Sequence, residues 1–158
     1  SDAVHILAFI ALYPDCDMTS NKLAESVQTN PAYVRQLMSA LRRGGLLVSV
    51  KGHPRPALAR EPEKITLLDA YRAVEGNKPL LHQDIHTNPA CGVGVNIQLV
   101  LRDFYLDIQN TAEQRMEEIT LKNVLEQYHI RLEGIQRDGD CGCPGNFPQS
   151  TGYEASPE

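Results

Sequence analysis

The chain has 158 residues, 42% of them hydrophobic, which is enough to bury one substantial core and too few for two large ones. Its net charge of −5 argues against a protein that coats nucleic acid without selectivity, and its four cysteines are too few for a disulfide scaffold. No apolar run is long enough to span a bilayer, and residues 4–12 are apolar without the basic start and cleavage pattern of a secretory signal, so a cytoplasmic protein is expected.

Residues 4–13 are read as a first helix, followed by a turn at Pro14-Asp15-Cys16-Asp17. Thr19 or Ser20 can cap a second helix, because a hydroxyl accepts one of the backbone N–H groups orphaned in a first turn. Leu23, Ala24 and Val27 give that helix a narrow apolar face. Gln28-Thr29 is a turn. Asn30-Pro31 is a start signal, since Asn caps and Pro at the first helical position loses no hydrogen bond. Val34, Leu37, Met38 and Leu41 then recur at helical spacing and must face a core. The other side presents Ala32, Tyr33, Arg35, Gln36, Ser39 and Arg43. Gly44-Gly45 stops the helix, and residues 46–50 have strand composition. Two short helices joined by a tight turn and followed by a strand form a helix-turn-helix with the start of a wing.

Charge is inverted in this region. Residues 19–60 carry Lys22, Arg35, Arg42, Arg43, Lys51, Arg55 and Arg60 against Glu25 alone, a net of +6 that leaves −11 for the rest of the chain. A local cationic patch of this kind attracts phosphate. Residues 51–56 are a basic loop with two prolines, and residues 57–59 can return as the second wing strand. Residues 66–75 are a capped helix ended by Gly76.

Residues 77–94 form a long connection. A helix capped by Asn96 is expected to run to about residue 119, with Ile97, Leu101, Phe104, Ile108, Ala112, Met116 and Ile119 on one stripe. Its length of about 36 Å exceeds what so small a domain needs, and a narrow apolar stripe on such a helix points to pairing with a second chain. Thr120 caps a shorter helix to about residue 129, and beyond residue 133 the sequence becomes a Gly-, Pro- and Ser-rich acidic tail. The expected class is mainly α with a small β-wing (α+β). It comprises a winged helix-turn-helix over 1–76, a connecting loop over 77–94, a dimerisation helix with a short helix over 95–132, and a tail over 133–158.

These residues resemble the BadM/Rrf-two family of bacterial winged-helix transcription regulators. The resemblance runs through AVHIL at 3–7, KLAESV at 22–27, NPAYVRQLMSALRRGGLL at 30–47, LAREPEKITLLDAYRAVEG at 58–76 and CGVGVNIQLVL at 91–101. It implies a homodimer bound to an inverted-repeat operator, with residues 31–43 as recognition helix and 48–60 as wing. Iron–sulfur members carry three closely spaced cysteines before the long helix. Here only Cys91 stands there, so the chain looks like the members without that triad and no cofactor is expected.

The expected DNA contacts are Tyr33, Arg35 and Gln36 to bases or grooves, Asn30, Ser39, Arg42 and Arg43 to phosphates, and Lys51 and Arg55 from the wing. The expected dimer interface is Ile97, Leu101, Phe104, Ile108 and Met116. Cys91, near a helix N-terminus that favours thiolate, is a candidate redox sensor set against a plain buried small residue. His82, His86 and Cys91 share one loop, and Cys141-Gly142-Cys143 could offer two thiolates, but neither makes a complete metal site. Cys16 is assigned no role. No phosphate loop, triad or paired carboxylates mark an enzyme. The remaining alternatives are a winged-helix protein–protein adaptor without DNA binding, and a regulator that responds to redox state or metal.

Overall fold

The computed structural model describes residues 1–16, 18–49, 55–83, 87, 88 and 90–134. Helix α1, Asp2–Leu12, buries Ile6, Leu7, Phe9 and Ile10. Helix α2, Ser20–Val27, is capped by Thr19, whose side chain accepts the Lys22 N–H at 3.3 Å. It ends at Gln28, which takes the left-handed conformation at φ 59°. Helix α3, Pro31–Arg43, starts as the sequence dictates: Asn30 Oδ1 accepts the Tyr33 N–H at 2.8 Å.

After α3 the chain must turn tightly against its neighbour. A Cβ on Gly44 would stand 2.7 Å from the Cβ of Ala73, so only glycine fits, and Gly45 turns the backbone at φ +68°. Strands β1, Leu47–Ser49, and β2, Pro56–Leu58, pair antiparallel with Leu47 opposite Leu58 and Ser49 opposite Pro56. The return strand therefore begins one residue earlier than expected, at a proline tolerated because a two-stranded ribbon asks little of its edges. Residues 50–54, with Lys51, lie outside the described residues.

Helix α4, Leu67–Glu75, carries a reciprocal capping box: Asp69 N–H donates to Thr66 Oγ1 at 3.0 Å, and Thr66 N–H to Asp69 Oδ2 at 3.1 Å. Helix α5, Gly92–Glu118, begins four residues before the expected Asn96. Asn96 instead sits inside the first turns and donates to the Gly92 carbonyl at 2.7 Å. Helix α6, Leu121–Gly134, runs about one turn beyond the expected end.

One core joins α1 to α4, the two strands and the start of α6, with Ile6, Leu7, Leu23, Val34, Leu41, Leu46, Ile65 and Leu121 almost completely buried. Leu121, just past the long helix, belongs to the same core as the helix-turn-helix. The backbone closes this junction with two hydrogen bonds, Leu67 N–H to Ile119 O at 2.9 Å and Leu121 N–H to Ile65 O at 2.7 Å. Across α4 and α5, Arg72 pairs with Glu113 at 2.7 Å. Among the described residues no helix is long and apolar enough to cross a membrane.

Leu41 is 0% exposed and central to this core. Leu41→Ala should destabilise the fold by about 2–5 kcal/mol in urea unfolding monitored by circular dichroism.

Candidate nucleic-acid interface

Burial of Val34, Leu37, Met38 and Leu41 fixes the rotation of α3 about its axis. At helical spacing, Ala32, Arg35, Gln36, Ser39, Arg42 and Arg43 then fall within about 120° on the outward side. All six are exposed. Arg35 donates to Ser20 Oγ at 3.2 Å, so α2 steadies the guanidinium while its remaining N–H groups face out. Among the described residues Arg35, Arg42 and Arg43 make no ion pair, and this face has no carboxylate to neutralise it.

Three expected residues are placed differently from the rest. Tyr33 lies about 60° beyond the polar arc and is 38% exposed. It lines a cavity of about 630 Å³ with Leu37, Tyr71, Val74 and Met116, on the flank of α3 that faces α4. Asn30 has spent its side-chain oxygen on the helix cap, which leaves its amide N–H groups as donors. Arg55 is half-buried where β2 begins. Arg60, counted in the basic patch by sequence, is exposed but engaged: it pairs with Asp69 at 3.3 Å and donates to the Lys64 carbonyl at 3.1 Å. Its charge is neutralised by α4.

On α5 the apolar positions divide. Val93, Ile97, Val100, Phe104 and Ile108 fall within about 80° of one another and are all exposed, Phe104 at 62%. Leu101, Ala112 and Met116 are half-buried on the adjacent side, and Met116 meets its own winged-helix domain through the cavity beside Tyr33. The sequence stripe therefore merges two faces, one turned to its own chain and one uncovered. Val93 and Val100 belong to the second face, and their spacing of three and four from Ile97 was the signal for it.

Cys91 is an exposed free thiol and is itself the N-cap of α5, its Sγ accepting the Gly94 N–H at 3.4 Å. Cys16 is buried in the core. His82 is exposed, and His86, Cys141 and Cys143 lie outside the described residues. Among the described residues no three metal-ligating side chains converge. With one thiol in the described part of the loop, and that thiol directed at its own helix, the described donor set does not fit an iron site.

The fold and the cationic helix define a winged-helix regulator of transcription. The sequence model of the Rrf2 family, described as an iron-dependent transcriptional regulator, matches residues 1–127, and the chain belongs to that family. YwnA of Bacillus subtilis, which bears the name of an HTH-type transcriptional regulator, is 36% identical over 123 residues, covering 78% of this chain and 91% of YwnA. Among solved structures, one described as a DNA-binding protein is 32% identical, with a TM-score of 0.62 over 79% of this chain and 99% of that one. IscR of T. potens is 25% identical, with a TM-score of 0.59 over 87% of this chain and 86% of its own. These relatives are regulators and not enzymes, and the chain is an Rrf2-family transcriptional regulator.

The cap that starts α3 sets where this face begins. Asn30→Ala should cost about 0.5–2 kcal/mol in thermal unfolding, and Asn30→Asp should recover most of it.

Proposed function

We propose that the protein is a homodimeric, sequence-specific DNA-binding repressor that acts in the cytoplasm on an inverted-repeat operator. The observation that carries this reading is the outward face of α3, where Arg35, Arg42 and Arg43 stand without a carboxylate partner among the described residues. In a major groove, Arg35 and Gln36 are placed to read base edges, and Ser39, Arg42, Arg43 and the Asn30 amide to hold phosphates. Tyr33 serves the edge of this contact from the α4 side. Arg55 and Lys51 act from the wing on the flanking backbone.

The uncovered face of α5 supports the second half of the reading. Val93, Ile97, Val100, Phe104 and Ile108 make an apolar stripe of four turns, and a second copy of the same helix buries it symmetrically. In this arrangement residues 1–76 are the reading head, 77–94 a connector, 95–132 the pairing and bracing helices, and 133–158 a tail. Two reading heads then fall about 34 Å apart, on successive major grooves of one DNA face. Such a repressor works by occupying its operator.

Two variants test the two halves. Arg35→Ala should weaken operator binding by about 1–3 kcal/mol and relax preference at one base pair in each half-site, as read by fluorescence anisotropy on substituted operators. Unchanged affinity removes Arg35 from the reading set. A protein that binds no DNA even at low salt is the protein–protein adaptor instead. Phe104→Asp should convert the dimer to a monomer in sedimentation velocity and weaken operator binding with it, because each half-site then acts alone. A monomeric wild-type protein contradicts the paired reading.

A further inference from the structure

A second cavity shares no lining residue with the one beside Met116 and plays no part in the reading above. It has a volume of about 370 Å³ and is walled by α1, α2 and α6. That is within the range of sites for small molecules, about 300–1,000 Å³. Its α1 wall is aromatic: His5, Phe9 and Tyr13 follow one another at every fourth residue, with ring centroids 6.5 Å and 5.0 Å apart. The α6 wall is Val124, Leu125 and Tyr128. Besides the Tyr13 and Tyr128 side chains, this largely apolar slot is lined by a hydrogen-bonded polar pair, His5 Nε2 and Ser26 Oγ at 3.0 Å.

Each feature narrows what fits. A wall of aromatic rings, His5 and Phe9 stacked at 25° and Phe9 and Tyr13 tilted at 41°, favours a flat ring between the helices. The Ser26–His5 pair can both donate and accept, which suits a hydroxyl. No Lys, Arg, Asp or Glu is among the described lining residues. Part of the His5 ring is exposed, yet the packing around it removes enough water to lower the imidazole pKa below its ordinary value, against the opposing pull of Asp2. The pair is therefore neutral at neutral pH and offers an anion no countercharge. We propose that this cavity binds a neutral, single-ring aromatic compound with one hydroxyl, its ring between α1 and α6 and its hydroxyl on the Ser26–His5 pair.

The consequence follows from the walls. Ser26 lies in the first helix of the helix-turn-helix, and α6 continues directly from α5. A ligand that spans them changes how firmly the reading head is held to the pairing helix, which makes it an effector site. That consequence rests on the DNA-binding reading; the binding itself does not.

Phenol is the probe, titrated into the full chain without DNA by isothermal calorimetry, with benzoate as the charged counterpart. Phenol should bind with one site per chain, and benzoate at least tenfold more weakly at neutral pH. Ala8→Phe, which fills the slot, should abolish phenol binding, its fold being checked by circular dichroism. Should that variant fail to fold, Ser26→Ala decides, with an expected three- to tenfold weakening from the lost hydrogen bond. Absence of phenol binding, equal binding of benzoate, or undiminished binding in a folded Ala8→Phe or in Ser26→Ala overturns the proposal. Phenol binding that leaves operator affinity unchanged would overturn the effector role alone.

Discussion

The apolar stripe Val34, Leu37, Met38 and Leu41 governs the rest of the molecule. Once these four side chains are buried, α3 has one rotation about its axis, and the side chains left outside are Arg35, Gln36, Ser39, Arg42 and Arg43. The stripe would do little without firm neighbours. Leu23 of α2, Ile6 and Leu7 of α1, and Leu46 before the wing close over it with almost no exposure. Gly44 lets α4 approach the end of α3 so closely that a single methyl would collide with Ala73. The cationic face is thus a consequence of core packing, presented on a rigid helix.

The junction near Ile65 and Leu121 extends that rigidity to the C-terminal helices. Two backbone hydrogen bonds, the buried Ile65 and Leu121, and the Arg72–Glu113 pair bind the end of α5 to the winged helix. The exposed ion pair contributes little energy by itself. The hydrogen bonds and Leu121 matter more, because they are part of the core and open only with it. In the proposed function, a change at the uncovered face of α5 then bears on the orientation of the reading head.

Much of this was legible in the chain. The α2 cap at Thr19 or Ser20, the Asn30 cap, the Pro31 start, the Gly44-Gly45 stop and a cap at the start of the 66–75 helix are local chemistry; Thr19 proves to be the α2 cap, and the reciprocal Thr66–Asp69 box goes beyond the cap expected there. The start of α5 was not legible, because sulfur is an unusual cap and Gly92 and Gly94 lower helix propensity just where the helix begins. The pairing of Arg60 with Asp69 was not legible, because the two meet only in the tertiary fold. The stripe on α5 could be seen, but its division into an inward and an outward face could not, since periodicity marks apolar positions without saying what covers them. The aromatic slot depends on how α6 packs against α1, which no local pattern encodes.

The central claim is that two copies of one cationic helix read DNA as a symmetric pair. Selection of bound fragments from a random pool of duplex DNA, with the full-length protein at moderate salt, tests it most directly. The account predicts an inverted repeat whose half-site centres lie about 10 base pairs, or a small multiple of one helical turn, apart. A bound sequence without two-fold symmetry, or no enrichment over the starting pool, would contradict it.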